Sequence, residues 1–316
     1  MKNKIIVGVF LITSVWLANN ILAQQTNFNI SKNGWSELKI SLGADAVGKG
    51  ETFVAKADNL HSACWNPAGL SQLKDTQIGL MHNMYVQEIN LEYLAYAQKI
   101  FPGWGIGVNA LVLNYGEMDR MEVVKGVPEE KGKFKAMTEI VNVGIGGELN
   151  NNLALGTTIK YMHKNIDKYE NSALACDLGM LVKFLEDKIK IGLTLQNVAL
   201  QAKKQELPML VRAGIDCNIP LVLNKKDLWD IAVELVVPTA DFKYSSINIG
   251  SEYWYKDLVA ARIGYKYQEN SYENLGETYG LSSGLSFKIK PLILDYALCS
   301  LGDLGLSHQI GVRFNF

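Results

Sequence analysis

The chain has 316 residues, with 31 Lys and Arg against 32 Asp and Glu, and 48% of it is hydrophobic. So even a charge balance excludes a dedicated nucleic-acid surface, which needs a basic excess. Its four cysteines, Cys64, Cys176, Cys217 and Cys299, are widely spaced and form no CxxC pair; that spacing excludes a small disulfide scaffold or a cysteine metal framework and reads as four small hydrophobes.

The first element is apolar. Lys2 and Lys4 precede a stretch from Ile5 to Leu17, and the small residue Ala23 follows. A charged start, a short apolar run and a small-residue cleavage point predict a secretory signal peptide over residues 1–23. The run is shorter than the roughly 20 apolar residues of a membrane-spanning helix. No Cys follows Ala23, so no lipid anchor is expected.

Residues 24–75 show no alternation. Asp58 is placed to cap a short helix whose Leu60, Ala63 and Cys64 form one apolar face. Asn66 is placed to cap the next, with Pro67 at the first position, where a missing N–H costs nothing. A segment this small cannot fold alone. It is expected to form an N-terminal, mostly helical hatch inside whatever the rest of the chain builds.

From residue 76 to 316 the dominant period is two, the mark of strands with one apolar face. In "WGIGVNALVLNY", Trp104, Ile106, Val108, Ala110 and Val112 share one face, opposite Gly105, Gly107 and Asn109. The same pattern recurs in "KIKIGLTLQN", "YGLSSGLSFKI" and "HQIGVRFNF". The predicted strands are 76–84, 91–101, 103–115, 138–149, 152–163, 172–184, 188–198, 208–218, 230–237, 246–255, 257–267, 278–289, 291–299 and 305–316.

A sandwich would also alternate, and three features decide for an outer-membrane β-barrel of about fourteen antiparallel strands. Aromatic residues gather near strand ends on the apolar face, with Trp104, Phe184, Tyr253, Tyr255, Phe287, Phe314 and Phe316 at one rim. Tyr161, Tyr265, Tyr267 and Tyr279 are expected at the other, as membrane girdles require. The opposite face carries ionisable groups deep within strands, which a sandwich core could not hold without a heavy desolvation cost. Glu148, Arg212, Asp216 and Arg262 are the mid-strand lumen charges singled out. Finally, connections alternate between short and long, as periplasmic turns and outer loops do. The longest, 116–137, is read as a solvated loop or a partner-contact surface.

Gly280-Leu281-Ser282-Ser283-Gly284 matches the GxSxG of lipases, but it lies inside an alternating strand rather than at a strand-to-helix turn, so no catalytic residue is expected. The glycine clusters at 103–107 and 144–148 complete no nucleotide loop and read as room for a plug or an aromatic neighbour. The four histidines lack ligand spacing. Neither a metal nor a cofactor is expected.

The run "GADAVGKGETFVAKADNLHSACWNPAGLSQL" resembles the N-terminal signature of the PorV/PorQ family of outer-membrane proteins, and its Asn66-Pro67-Ala68 core is similar to that of the FadL long-chain fatty acid transporters. The resemblance continues through "MHNMYVQEINLEYLAYAQKI", "GSEYWYKDLVAARIGYKY" and "LDYALCSLGDLGLSHQIGVRFNF". It implies a fourteen-stranded barrel with a hatch in the lumen, residues 1–23 being removed, 24–75 forming the hatch and 76–316 the wall. Asp58, Trp65, Asn66, Pro67, Ala68 and Gly69 are the hatch motif. PorV-type members assist type IX secretion, which implies secretion-machinery or exported proteins as partners besides outer-membrane lipid. FadL-type members carry hydrophobic small molecules, which implies a pocket between hatch and wall, with Phe53, Leu60, Leu70, Leu111 and Leu113 as candidates. The export role is the leading expectation, hydrophobic uptake the alternative, and a structural barrel without cargo the third.

Overall fold

The structure, a computed structural model, describes residues 34–202, 205–220, 227–240, 242–269 and 275–316. The expected signal peptide lies outside them. Fourteen strands follow in chain order: β1 (Gln77–Met84), β2 (Asn90–Phe101), β3 (Trp104–Val124), β4 (Val127–Glu148), β5 (Leu153–Ile166), β6 (Tyr169–Phe184), β7 (Ile189–Ala202), β8 (Leu210–Pro220), β9 (Leu228–Pro238), β10 (Ser246–Tyr255), β11 (Val259–Gln268), β12 (Leu281–Ile289), β13 (Leu292–Ser300) and β14 (Leu306–Asn315). Each pairs antiparallel with its neighbours in sequence, and β1 pairs with β14 to close the barrel. Closure leaves no backbone edge unpaired in the wall, as lipid demands. The transmembrane fourteen-stranded barrel expected from the alternation is the observed fold.

Burial along the strands explains the alternation. On β1, Gln77, Gly79, Met81 and Asn83 are buried in the lumen while Ile78, Leu80 and Met84 are exposed. The outward row of nearly every strand is apolar, including Leu94, Val143, Ile249, Ile263 and Leu285, as on the lipid-facing side of a membrane barrel. Polar outward groups satisfy one another: His82 Nδ1 lies 2.6 Å from Glu92 and His308 Nδ1 lies 2.9 Å from the Tyr296 hydroxyl.

Two departures from the sequence reading concern strand length. The segment 116–137 is no loop: β3 and β4 continue through it, with Glu117 opposite Lys135 and Val124 opposite Val127. Neighbouring strands stop sooner, β2 at Asn90 opposite Asn114 and β5 at Ile166 opposite Ala136. The result is a two-stranded ribbon that rises past its neighbours, tied to the β5–β6 turn by an ion pair between Arg120 and Asp167, and its charged and apolar residues hid the period. Tyr279, expected on the outer girdle, precedes β12 and lines the lumen instead.

Residues 34–75 fill the lumen with short helical pieces: 3₁₀ turns at Ser36–Lys39 and Pro67–Gln72, and helices α1 (Ala44–Gly48) and α2 (Ser62–Trp65). Asp58 caps neither helix. α2 begins at Ser62 after His61, and the Ser62 hydroxyl bonds back to the Asn59 carbonyl at 2.6 Å. Asn66 does cap: its side-chain oxygen accepts the Ala68 N–H at 3.1 Å, and Pro67 opens the turn.

The hatch backbone rests on glycines of the inner wall. Gly105, Gly146, Gly156 and Gly179 are register partners on β3 to β6, and Gly192 and Gly214 form a second register pair on β7 and β8, offset by two positions from the first row. A Cβ at Gly146 would lie 2.0 Å from the Pro67 carbonyl oxygen, and one at Gly250 2.0 Å from the Lys49 carbonyl oxygen. Any side chain there would displace the hatch, so glycine is the residue that lets the two backbones meet.

Candidate functional site

The hatch divides the lumen into two unlike halves and leaves a vestibule above itself, at the end where β1 turns into β2. Against β1 to β6 the contact is mainly apolar. Leu60, Ala63, Leu70 and Leu73 of the hatch form one cluster with Met81, Leu91, Tyr93, Leu111, Leu113, Ile140 and Met162 of the wall. The inward positions pair across strands in rows, Tyr93–Leu111–Ile140–Met162 and, above them, Leu91–Leu113.

Against β8 to β14 the contact is ionic. Lys49 reaches Asp216 at 2.7 Å, and Lys56 reaches Asp230 at 2.7 Å and also Glu252. Glu234 accepts the Phe53 and Val54 N–H groups at 3.0 and 2.9 Å while pairing with Arg212 at 2.5 Å. Arg313 bridges Asp45 of the hatch at 3.2 Å to Asp295 of the wall at 2.7 Å, and Arg262 pairs with Glu252. Lys266 holds Glu51 at 2.9 Å. Each of these charges has an opposite partner, the condition under which a low-dielectric interior tolerates it.

Electrostatics of the hatch follow from these contacts. Burial opposes the charge on Asp45, yet Arg313, His61 and Arg262 outweigh it and hold the carboxyl well below the usual carboxylate range. Burial likewise opposes ionised Glu37, but hydrogen bonds from Lys164 and Tyr115 keep it below its ordinary value. Burial would lower Lys56, and Glu252 and Asp230 hold it well above. For His61 burial prevails and pushes the imidazole below its ordinary 6.5; it also pushes the Cys64 thiol up to about 11. All four cysteines are free thiols.

The residues singled out from sequence scatter over this frame. Trp65 donates its indole N–H to the Leu42 carbonyl at 2.8 Å, and the Arg212 guanidinium stacks 4.3 Å above its ring. Asn66 donates to the Val54 and Met180 carbonyls at 2.8 and 3.0 Å, tying two hatch segments to β6. Pro67, Ala68 and Gly69 are fully enclosed, Gly69 against the Ala57 carbonyl. Asp58 is half-buried and caps nothing. Of the lumen charges, Arg212, Asp216 and Arg262 belong to the ionic half, through three separate pairs. Glu148 does not: it ends β4 at the rim and pairs with Lys183 at 2.7 Å. Of the expected pocket residues, Leu60, Leu70, Leu111 and Leu113 join one cluster, whereas Phe53 packs apart, edge-on to Trp65.

Lys49, Lys56, Asp45, Asp230 and Arg313 also belong to the ionic half and stand in no motif. Asp230 and Arg313 sit at inward positions of alternating strands and were findable that way. The hatch groups lie in a segment without a period, where nothing flags them. Ser282 is a wall residue buried against the hatch, accepting the Gly50 N–H at 3.1 Å, so its GxSxG setting is a packing feature. Among the described residues no three His, Cys, Asp or Glu side chains gather as a metal-binding set.

The vestibule has a volume of about 360 Å³. Leu42, Leu91, Leu111 and Ile140 line its apolar side, Ser246, Gln268, Ser307 and Gln309 the other, and Tyr85, Tyr244 and Tyr279 also line it.

The same architecture occurs in solved structures. The CymD monoaromatic hydrocarbon channel is similar with a TM-score of 0.61 at 12% identity, over 92% of this chain and 99% of that one. The Pseudomonas putida toluene transporter TodX is similar at 0.60 and 11%, over 87% and 97%, and a Pseudomonas aeruginosa FadL homologue at 0.54 and 10%, over 88% and 99%. At these identities the likeness is one of fold. No curated protein matches in sequence. The model of the Uncharacterised protein family (UPF0164) matches residues 13–203, and the chain belongs to that family.

Proposed function

We propose that this protein is an outer-membrane barrel that takes hydrophobic small molecules into the vestibule above its hatch. One observation carries the reading: a cavity of about 360 Å³ whose β2–β4 wall presents Leu91, Leu111 and Ile140 beside the hatch residue Leu42. Pockets of this size with an apolar lining and a few polar groups are the usual form of small-molecule sites. The likeness in fold to hydrocarbon channels supports it, and the predicted signal peptide over residues 1–23 fits export to the outer membrane. Nothing in this reading calls for catalysis or a cofactor. The test is displacement of a fluorescent apolar probe from the purified barrel. Leu111→Trp, which fills the cavity, is expected to abolish probe binding while the barrel keeps its heat-modifiable mobility on a gel. Undiminished binding in that variant contradicts the reading.

A second reading, an accessory to protein export of the PorV/PorQ kind, is favoured by the β3–β4 ribbon. An isolated two-stranded ribbon is marginal in water, and this one exposes Met121, Val123 and Val127. Deleting residues 117–134 is expected to leave probe binding intact. If export of surface proteins fails in that deletion, the accessory role holds.

A further inference from the structure

Past the barrel wall, β3 and β4 pair only with each other. β2 follows β3 as far as Asn114, opposite Asn90, and β5 follows β4 as far as Ala136, opposite Ile166. Residues 117–124 of β3 and 127–135 of β4 therefore each present a backbone edge with no strand beside it among the described residues. On such an edge alternate residues turn their N–H and C=O groups outward, a template for a further strand. The two edges are guarded unequally. Along β4 stand Pro128, which has no N–H to offer, and the lysines Lys131, Lys133 and Lys135. β4 also bulges, since its steps from Lys133 to Glu130 face the shorter run of β3 from Asp119 to Met121. At its base the Asp167 N–H donates to the Lys135 carbonyl at 3.4 Å, and Asp167 also pairs with Arg120. Between Glu117 and Val124, β3 carries neither Pro nor Lys, and its own bulge, between Asn114 and Glu117, lies below the open stretch.

The side chains of this edge say what it would accept. Met121 and Val123, two positions apart, share a face and are 58% and 73% exposed. Between them Glu122 stands opposite Glu129, and like charges placed so repel. Lys131 lies 2.6 Å from Glu129, and Lys133 and Lys135 share Glu117, so Asp119 and Glu122 have no ion pair among the described residues. Arg120 is engaged by Asp167. The same edge of a second copy, antiparallel and centred between Arg120 and Met121, would set Glu122 against Asp119. We propose that β3 takes up, by strand addition along residues 117–124, an extended segment of a partner protein with aliphatic residues opposite Met121 and Val123 and Lys or Arg opposite Asp119 and Glu122. Main-chain hydrogen bonds give such a pair its affinity and the side chains its choice. This goes beyond the small-molecule reading and rests on the accessory reading, to which it gives a mode of contact.

The test uses the purified barrel in phosphatidylcholine nanodiscs and three fluorescent heptapeptides, read by anisotropy. The first is Thr-Val-Lys-Val-Thr-Lys-Val, which runs antiparallel to β3 with its lysines opposite Glu122 and Asp119. The second has Glu in place of both Lys, and the third keeps the first sequence with its backbone N–H groups methylated. The first is expected to bind at least about tenfold more tightly than either of the others, and not to bind the barrel lacking residues 117–134. Glu122→Lys is expected to narrow the preference for the Lys over the Glu peptide to below about threefold. Equal binding of the methylated peptide would reduce the contact to charge and overturn strand addition. Equal binding of the Glu peptide would overturn the stated chemistry. If no peptide binds, or barrels dimerise through the ribbon instead, β3 is not open to a partner strand. Export lost on deleting the ribbon, with no peptide bound to the intact barrel, would leave the accessory reading standing and discard this one.

Discussion

The two halves of the lumen hold the same hatch by opposite means. On the β1–β6 side the hatch meets leucines, alanines and glycines, with one ion pair among the described residues, Glu37 to Lys164 at 2.6 Å. On the β8–β14 side it is pinned by Lys49, Lys56, Asp45 and Glu51, each set against a wall charge. Apolar contact is non-directional and tolerates a ligand sliding along it, whereas paired buried charges punish the loss of either partner. The difference gives anchoring to the ionic half and leaves the apolar half to contact the proposed ligand.

The largest effect should come where neither half can yield. Gly146→Val and Gly250→Val put side chains onto hatch carbonyl oxygens, and both are expected to block assembly, read as loss of the heat-modifiable folded band. Next, Glu234→Leu strips Arg212 of its partner and orphans the Phe53 and Val54 N–H groups. It should cost about 3–5 kcal/mol in urea unfolding, whereas Leu111→Ala on the apolar side should cost about 2–3 kcal/mol. Equal costs would erase the distinction between the halves.

Asn66→Ala removes the cap and the bonds to Val54 and Met180, a loss of about 2 kcal/mol that a protease cutting within the hatch should register. Acid gives a smaller, graded loosening. Burial holds the His61 value below 6.5, so an unfolded hatch takes up that proton first; the stabilisation is complete above pH 6.5 and falls away as pH drops below it. Asp45, held low by Arg313 against its burial, adds stability above its ordinary 3.8 that is lost at lower pH. Hydrogen exchange of residues 43–61 should therefore quicken in two steps, the first absent in His61→Gln. Deleting the ribbon, which touches neither half, should change unfolding by less than about 0.5 kcal/mol.

Much of this was legible in the sequence because a barrel writes its two environments on alternate residues. The lipid-facing row of β3 and the inward row of Gly105, Gly107 and Asn109 follow from period two alone. So does the count of fourteen strands. The Asn66-Pro67 turn was legible because cap chemistry is local. Asp58 misled for the same reason: a good capping residue precedes the helix, but the chain takes another turn through Asn59 and His61 before it starts. The ribbon escaped because, without a buried face on either side, its strands need no alternation. Glu148 escaped because period two says which face a residue points to, not how far it lies from the rim. The pairing of hatch cations with wall carboxylates was beyond reach, since Lys56 and Glu252 are 196 positions apart and only the closed barrel brings them together.

If the ionic half keeps the hatch in place while the apolar half receives the proposed ligand, the two halves respond differently in hydrogen exchange followed by mass spectrometry, with and without a saturating apolar ligand. Residues 44–56 are expected to exchange slowly whether or not the ligand is bound, with new protection of residues 36–42 and of β3 and β4 around Leu111 and Ile140. Faster exchange of residues 44–56 on ligand binding would mean that the hatch is released rather than held, and would contradict it.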